Sequence, residues 1–240
     1  MPIWLEGPVF LVGGQDFNRV YVDWPANDAN VYAVDTGDTL VLIDCGCGDS
    51  LPGILENVEE LDFRIDEISH LLLTHAHFPH AAAAEALQKM GVEVVASPPA
   101  ARAVMDGGVA TAAFWYGRRF TPCETEITTI EDGDSLDVGV ASLRAIALPG
   151  HSPGSMGYEL TIDSHRLFFS GDVVRHPNLK SLRARPGYSR RKSQESLLKL
   201  LEESPEIIYP GHGPFCLSRG RVWVQKELRK LLSSDANTKE

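Results

Sequence analysis

The chain has 240 residues, 43% hydrophobic and 23% charged, enough to bury one sizeable core and too apolar for wholesale disorder. With 22 Lys and Arg against 33 Asp and Glu, the formal charge is -11, which excludes a general binder of nucleic acid or anionic membranes. No run approaches the roughly 18 apolar residues of a membrane span, and Met1-Pro-Ile-Trp-Leu-Glu6 does not read as a signal peptide.

In chain order, Asn30–Asp44 reads as a hairpin whose second strand, Thr39–Asp44, delivers an aspartate to a glycine-containing turn. Leu51, Ile54, Leu55, Val58 and Leu61 follow at helical spacing behind the cap candidates Asp49 and Ser50. Ile68–Thr74 is a buried strand opening into a loop, with a helix starting near Pro79. Ser142–Leu148 is a further strand. Ser155–Asp172 repeats the hairpin pattern, its second strand Arg166–Ser170 leading to Asp172. Leu197, Leu198, Leu200 and Leu201 predict a helix after Ser193; Glu206–Tyr209 is a strand, and a last helix spans about Ser218 to Ser233. Strands alternating with helices predict an α/β layered fold, and two hairpin halves face to face predict a four-layer αββα sandwich, one domain over residues 1–240.

Chemistry concentrates where these strands end. His75, His77 and His80 follow Leu71-Leu-Leu-Thr74; His151 sits in Pro149-Gly-His-Ser-Pro-Gly154; Asp172 follows Gly171; His212 sits in Tyr209-Pro-Gly-His-Gly-Pro214. Strand ends closed by Gly/Pro turns are where α/β proteins gather ligand groups. Imidazole with carboxylate and no thiolate suits Zn²⁺, with Fe or Mn as alternatives. Cys45 and Cys47 read as small buried cysteines after a core strand. Together with Cys123 and Cys216 they lack CxxC spacing, which predicts free thiols and a cytoplasmic location. His70 and His165 receive no role, and His176 only a substrate-side one.

In this layout the residues resemble the metallo-β-lactamase superfamily. Thr74-His-Ala-His-Phe-Pro-His80 is similar to its HxHxDH motif, His151, Asp172 and His212 follow in the order of its remaining ligands, and Val41-Leu-Ile-Asp-Cys-Gly46 resembles its early strand and turn. The resemblance spans about Phe10 to Pro214 and implies one or two metal ions. His75, His77 and His151 would bind the first, His80 and His212 the second, and Asp172 both. Asp172 and His212 are the catalytic candidates, and Asp44 would support the site without being a ligand. Pro79 departs from the pattern: it stands where the family usually has an aspartate that ligates the second metal and helps handle a proton.

Val173–Gln194 holds seven of the 22 basic residues and none of the 33 acidic ones. Arg175, Arg183 and Arg185 are the substrate-binding candidates within it, suited to a carboxylate or phosphate. Phe114-Trp-Tyr-Gly-Arg-Arg-Phe120 could stack on a ligand, cap the core or form a subunit contact.

The leading expectation is a metal-dependent hydrolase in which a metal-bound hydroxide attacks an acyl carbonyl, the substrate being a thioester, activated ester or lactone that carries an anionic group. One alternative is iron chemistry like that of the persulfide dioxygenases, with His75, His151 and Asp172 as the iron triad; another is a degenerate metal-binding protein without activity. A small anionic molecule is the expected partner, with neither nucleic acid nor membrane.

Overall fold

The computed structural model describes residues 1–14, 28–162, 165–175 and 186–233. Arg183, Arg185, Lys180 and His176 lie outside these described residues.

Two sheets form the centre. The first joins β1 (Ile3–Glu6), β2 (Val9–Gly13), β3 (Val31–Asp35), β4 (Leu40–Ile43), β5 (Ile68–Leu72), β6 (Glu93–Ala96) and β7 (Thr128–Thr129) in sequential order. The second runs β12 (Ile207–Pro210), β11 (His165–Gly171), β10 (Met156–Ile162), β9 (Ala141–Ala147), β8 (Ser135–Val138). Both expected hairpins are present, as antiparallel β3–β4 and β10–β11 pairs.

Side-chain alternation explains the layers. Tyr32, Val34, Val41 and Ile43 face Leu143, Tyr158, Leu160, Leu167 and Phe169 between the sheets. Their neighbours Val31, Ala33, Leu40 and Leu42 face outward onto Ile54 and Val58 of α1 (Leu51–Glu59) and Leu87, which lies beyond α2 (Phe78–Ala81) in α3 (Ala84–Lys89). On the far side Ile146, Phe168 and Ile208 meet Leu197 and Leu200, from the helix at 190–203, and Val224, from the helix at 220–233. Period-2 strands buried on both faces fix register, because a one-residue slip would exchange the two cores. Each fully buried aliphatic or aromatic side chain contributes about 1.5–3 kcal/mol. The result is the expected αββα sandwich.

α4 (Pro98–Asp106) follows β6, with Ser97 Oγ accepting from Ala100 N as its cap. α5 (Arg190–Glu203) begins before Ser193, with Ser189 rather than Ser193 as cap: its Oγ accepts from Lys192 N. Three cations thus occupy a first turn where the helix dipole disfavours them. Arg190 donates to the Leu231 carbonyl near the end of α6 (Gly220–Ser233), and Arg191 pairs with Glu195 at 2.9 Å, so these residues of the basic stretch serve the helices. Below them, Arg144 of β9, Glu159 of β10, Arg166 of β11 and Glu203 of α5 form a charge ladder across the sheet's outer face. Among the described residues no helix is long and apolar enough to cross a membrane.

Candidate metal centre

Strand direction gathers the site. β4 runs parallel to β5, and β11 parallel to β12 with β9 in the same sense through two antiparallel steps, so within each sheet these strands end at one edge. From that edge emerge Asp44 after β4, His75 and His77 after β5, His151 after β9, Asp172 after β11 and His212 after β12. Hydrogen bonds tie the sheets there: Met156 N donates to the Thr74 carbonyl (2.8 Å) and the Tyr158 hydroxyl to the Leu73 carbonyl (2.9 Å).

Ligand nitrogens of His75, His77 and His151 lie within 4.8 Å of one another, and all three residues are buried. His77 Nδ1 stands 3.1 Å from His75 Nε2 and 2.9 Å from His151 Nε2. A second set, His75, His80 and Asp172, meets the same limit. Asp172 Oδ1 lies 3.7 Å from His80 Nε2 and 3.8 Å from His212 Nε2, and its Oδ2 3.5 Å from His151 Nε2. The structure therefore brings all six candidate ligands into one cluster, with Asp172 between the groups and His212 at its edge.

Asp44 shows how the cluster is oriented. Its carboxylate accepts from Thr74 N and Thr74 Oγ1, each at 2.8 Å, and from His80 Nδ1 at 2.7 Å. Because the Thr74 hydroxyl proton goes to Asp44, its oxygen is left to accept from His75 Nδ1 at 3.1 Å, which leaves a lone pair on His75 Nε2 facing the cluster. Asp44 holds a left-handed backbone (φ 60°), a strained conformation that aspartate tolerates better than most residues. Asp44→Asn keeps size and backbone tolerance but sets an amide donor against Thr74 or His80. We expect metal affinity to fall about 10–100-fold, read by titrating metal-free protein, with wild-type affinity excluding this orienting role.

For His75, His151 and His212 the electrostatics match ligand chemistry. Burial and the neighbouring histidines hold His75 well below its ordinary pKa. Burial takes His151 and His212 down to about 4, so these rings are neutral and can offer lone pairs. Burial would lower His80, but Asp44 and Asp172 outweigh it and raise the ring. Burial would raise Asp172, yet His212, His80, His151 and Arg175 hold it far below the usual carboxylate range. His80 Nε2 and Asp172 Oδ1 are both buried with no hydrogen-bond partner. Two orphaned polar atoms 3.7 Å apart, one of them anionic, suit a divalent cation.

Cys45 is buried, and burial raises its thiol well above the ordinary value; its Sγ donates to the His80 carbonyl (3.2 Å). Burial lifts Cys47 to about 11, so neither is a poised thiolate, and all four cysteines are free. His70 lies beside Ser69 and Glu93, and His165 pairs with Glu206, away from the cluster. Arg175 is 8% exposed and lines a recess of about 40 Å³ with His151, Asp172 and Tyr188. In the 114–120 segment, Tyr116 stacks on Phe78 at 5.8 Å and Arg118 pairs with Asp49 at 2.5 Å; Phe114 and Trp115 are half exposed. Sequence reasoning missed Thr74 as the link between Asp44 and His75, since a threonine ending a strand carries no distinguishing signal.

The comparisons agree with this geometry. The model of the metallo-beta-lactamase superfamily matches residues 24–212. The acyl-coenzyme A thioesterase MBLAC2 of Homo sapiens is 28% identical over 209 residues, covering 78% of this chain and 73% of that protein. The probable metallo-hydrolase YqgX of Bacillus subtilis (strain 168) is 30% identical over 151 residues, covering 60% and 68%. Among solved structures, the Rm3 metallo-beta-lactamase superposes with a TM-score of 0.78 at 22% identity, over 99% of this chain and 94% of that one. With a family match that takes in every strand-end ligand turn from His75 to His212, the chain belongs to the metallo-beta-lactamase superfamily and is a metallo-hydrolase.

Proposed function

We propose that this metallo-hydrolase cleaves thioesters or activated esters that carry an anionic group, using zinc. One observation carries the reading: residue 79, between His77 and His80, is a buried proline that offers no proton to a departing group. An amine must be protonated to leave, whereas a thiolate, with a thiol pKa of roughly 8.5, departs as an anion. The likeness to a protein named as an acyl-coenzyme A thioesterase supports the same substrate class.

His75, His77 and His151 would hold one metal, and His80, His212 and Asp172 a second. When bound, such a metal supplies Lewis acidity, which activates water and stabilises negative charge on a carbonyl oxygen. The chain's own groups do the positioning. Asp44 and Thr74 fix the faces that His80 and His75 present, and Asp172, ionised among histidines, can orient a water. The buried cation Arg175, beside Asp172, favours an anionic substrate, and Arg183 and Arg185 belong to the same basic stretch.

Metal analysis of protein purified without added metal, paired with a substrate panel, tests the proposal. Zinc with thioester or ester turnover is expected. Near-stoichiometric iron with oxygen uptake on a persulfide would overturn it in favour of the oxygenase reading of His75, His151 and Asp172, and no tight metal at all would overturn it in favour of a noncatalytic protein. Replacing Arg183 and Arg185 together by alanine should raise KM for an anionic substrate much more than for a neutral analogue, and equal effects would reject the anionic-substrate reading.

A further inference from the structure

We propose that Asp28-Ala29-Asn30, and Asn30 above all, is the positioning bracket that sets the geometry of the His80 and His212 side of the cluster. The inference rests on reading His80, His212 and Asp172 as the second metal's ligands.

All three residues are completely buried or nearly so, although they lie ahead of β3 and outside any strand. Each reaches a different turn of the site. Asp28 Oδ1 accepts from Cys47 N at 2.7 Å in the turn after β4, the turn that carries Asp44. Ala29 N donates to the Pro79 carbonyl at 3.3 Å, one residue before His80. Asn30 N donates to the Gly211 carbonyl at 2.7 Å.

The Asn30 side chain closes the bracket. Its Nδ2 donates to the carbonyls of Pro210 and Gly213, both at 2.9 Å, and lies 3.1 Å from the Tyr32 hydroxyl, whose own proton goes to Pro210 O at 2.7 Å. Carbonyls on both sides of His212 are therefore held from one amide. Asn30 Oδ1, by contrast, is buried with no partner. A buried amide that leaves its acceptor unsatisfied is a costly way to fill space, which points to its donor half as the reason it is there.

The turn needs this external hold. It contains Gly211 and Gly213, the latter at φ +80°, so its backbone has little intrinsic stiffness. Gly211 admits no side chain, because a Cβ there would overlap the His80 ring and approach Asp172 Oδ1 to 3.1 Å. The close packing of His80, Asp172 and the His212 turn thus forbids a stiffer residue, and Asn30 and Tyr32 supply the restraint from the neighbouring sheet.

Titration of metal-free protein with Zn²⁺, and with Co²⁺ followed by its absorption spectrum, tests the bracket in Asn30→Ala, Tyr32→Phe and His212→Ala. Asn30→Ala should weaken the second binding event about 10–100-fold while the first keeps its affinity, and should change the Co²⁺ spectrum of the second site. Tyr32→Phe keeps the ring that contacts Phe169 and Tyr209 and should give a smaller shift in the same direction, so it decides the matter should Asn30→Ala not fold. His212→Ala should remove the second event; if it does not, the ligand reading falls and the bracket with it. If His212→Ala removes it while every foldable bracket variant binds both metals as the wild type does, whatever the change in Tm, the bracket alone is overturned.

Discussion

His151→Ala is expected to abolish turnover and lower metal content while leaving the protein folded. His151 is a nitrogen donor standing 2.9 Å from His77 Nδ1, and its Nε2 also lies 3.5 Å from Asp172 Oδ2, so one ring contributes to both halves of the cluster. Changing residues that merely orient ligands costs about 10–100-fold, and losing a ligand should exceed that range. Folding should survive because the ring sits in a turn beyond β9. That turn is held by its backbone: Ser189 N donates to the Gly150 carbonyl at 2.8 Å, and Leu148 N to the Ser155 carbonyl at 2.9 Å. Removing a buried neutral imidazole also leaves no charge stranded, since burial already keeps His151 deprotonated. The measurements are metal content, a chemical denaturation curve and single-substrate kinetics. Full activity in the variant would refute the placement of the first metal, and a collapsed denaturation midpoint would show that the turn is structural.

The layers and the ligand turns were legible because each rests on local pattern. Alternation in Tyr32–Ile43 and Leu143–Phe169 gives strands, and Gly or Pro beside His151, Asp172 and His212 marks where those strands stop. Features that depend on which turns meet in space were not legible. Asn30, met in sequence, is an ordinary polar residue before a strand, and nothing local shows that its partners are 180 residues away. Arg175 is legible as a substrate-side cation, three residues after Asp172 in a basic run, but its burial there is not. The start of α5 was misplaced for a different reason. Ser189 and Ser193 are both acceptable caps, and three cations between them argue locally against the earlier one. Tertiary contacts decide it: Ser189 N is tied to Gly150, and Arg190 to the end of α6.

Pro79→Asp is expected to even out the two metal sites and to widen the range of leaving groups. In the wild type, the residue between His77 and His80 provides no ligand, so the second site has two histidines and Asp172. It should bind more weakly than the first and fill partially when metal is scarce. The exchange suits the backbone. Residue 79 lies in the four-residue α2, and the bond from Ala29 goes to its carbonyl, which either residue supplies. It does place another carboxylate at a buried position next to His80, whose ring already faces Asp44 and Asp172, which without metal is costly. The variant should therefore be less stable than wild type when metal-free and gain more in Tm on metal addition. A carboxyl group there could also pass a proton to an amine leaving group, and general acid catalysis contributes roughly 10²–10⁴-fold. Thioester cleavage needs little such help, so Pro79→Asp should raise β-lactam turnover relative to thioester turnover by at least about 10-fold. Comparing a thioester with a β-lactam in both proteins, with metal stoichiometry measured alongside, reads these effects together. If the wild type already holds two metals with equal affinity and hydrolyses the β-lactam as fast as the thioester, proline at this position does not set the leaving group, and the thioester reading loses its chief support.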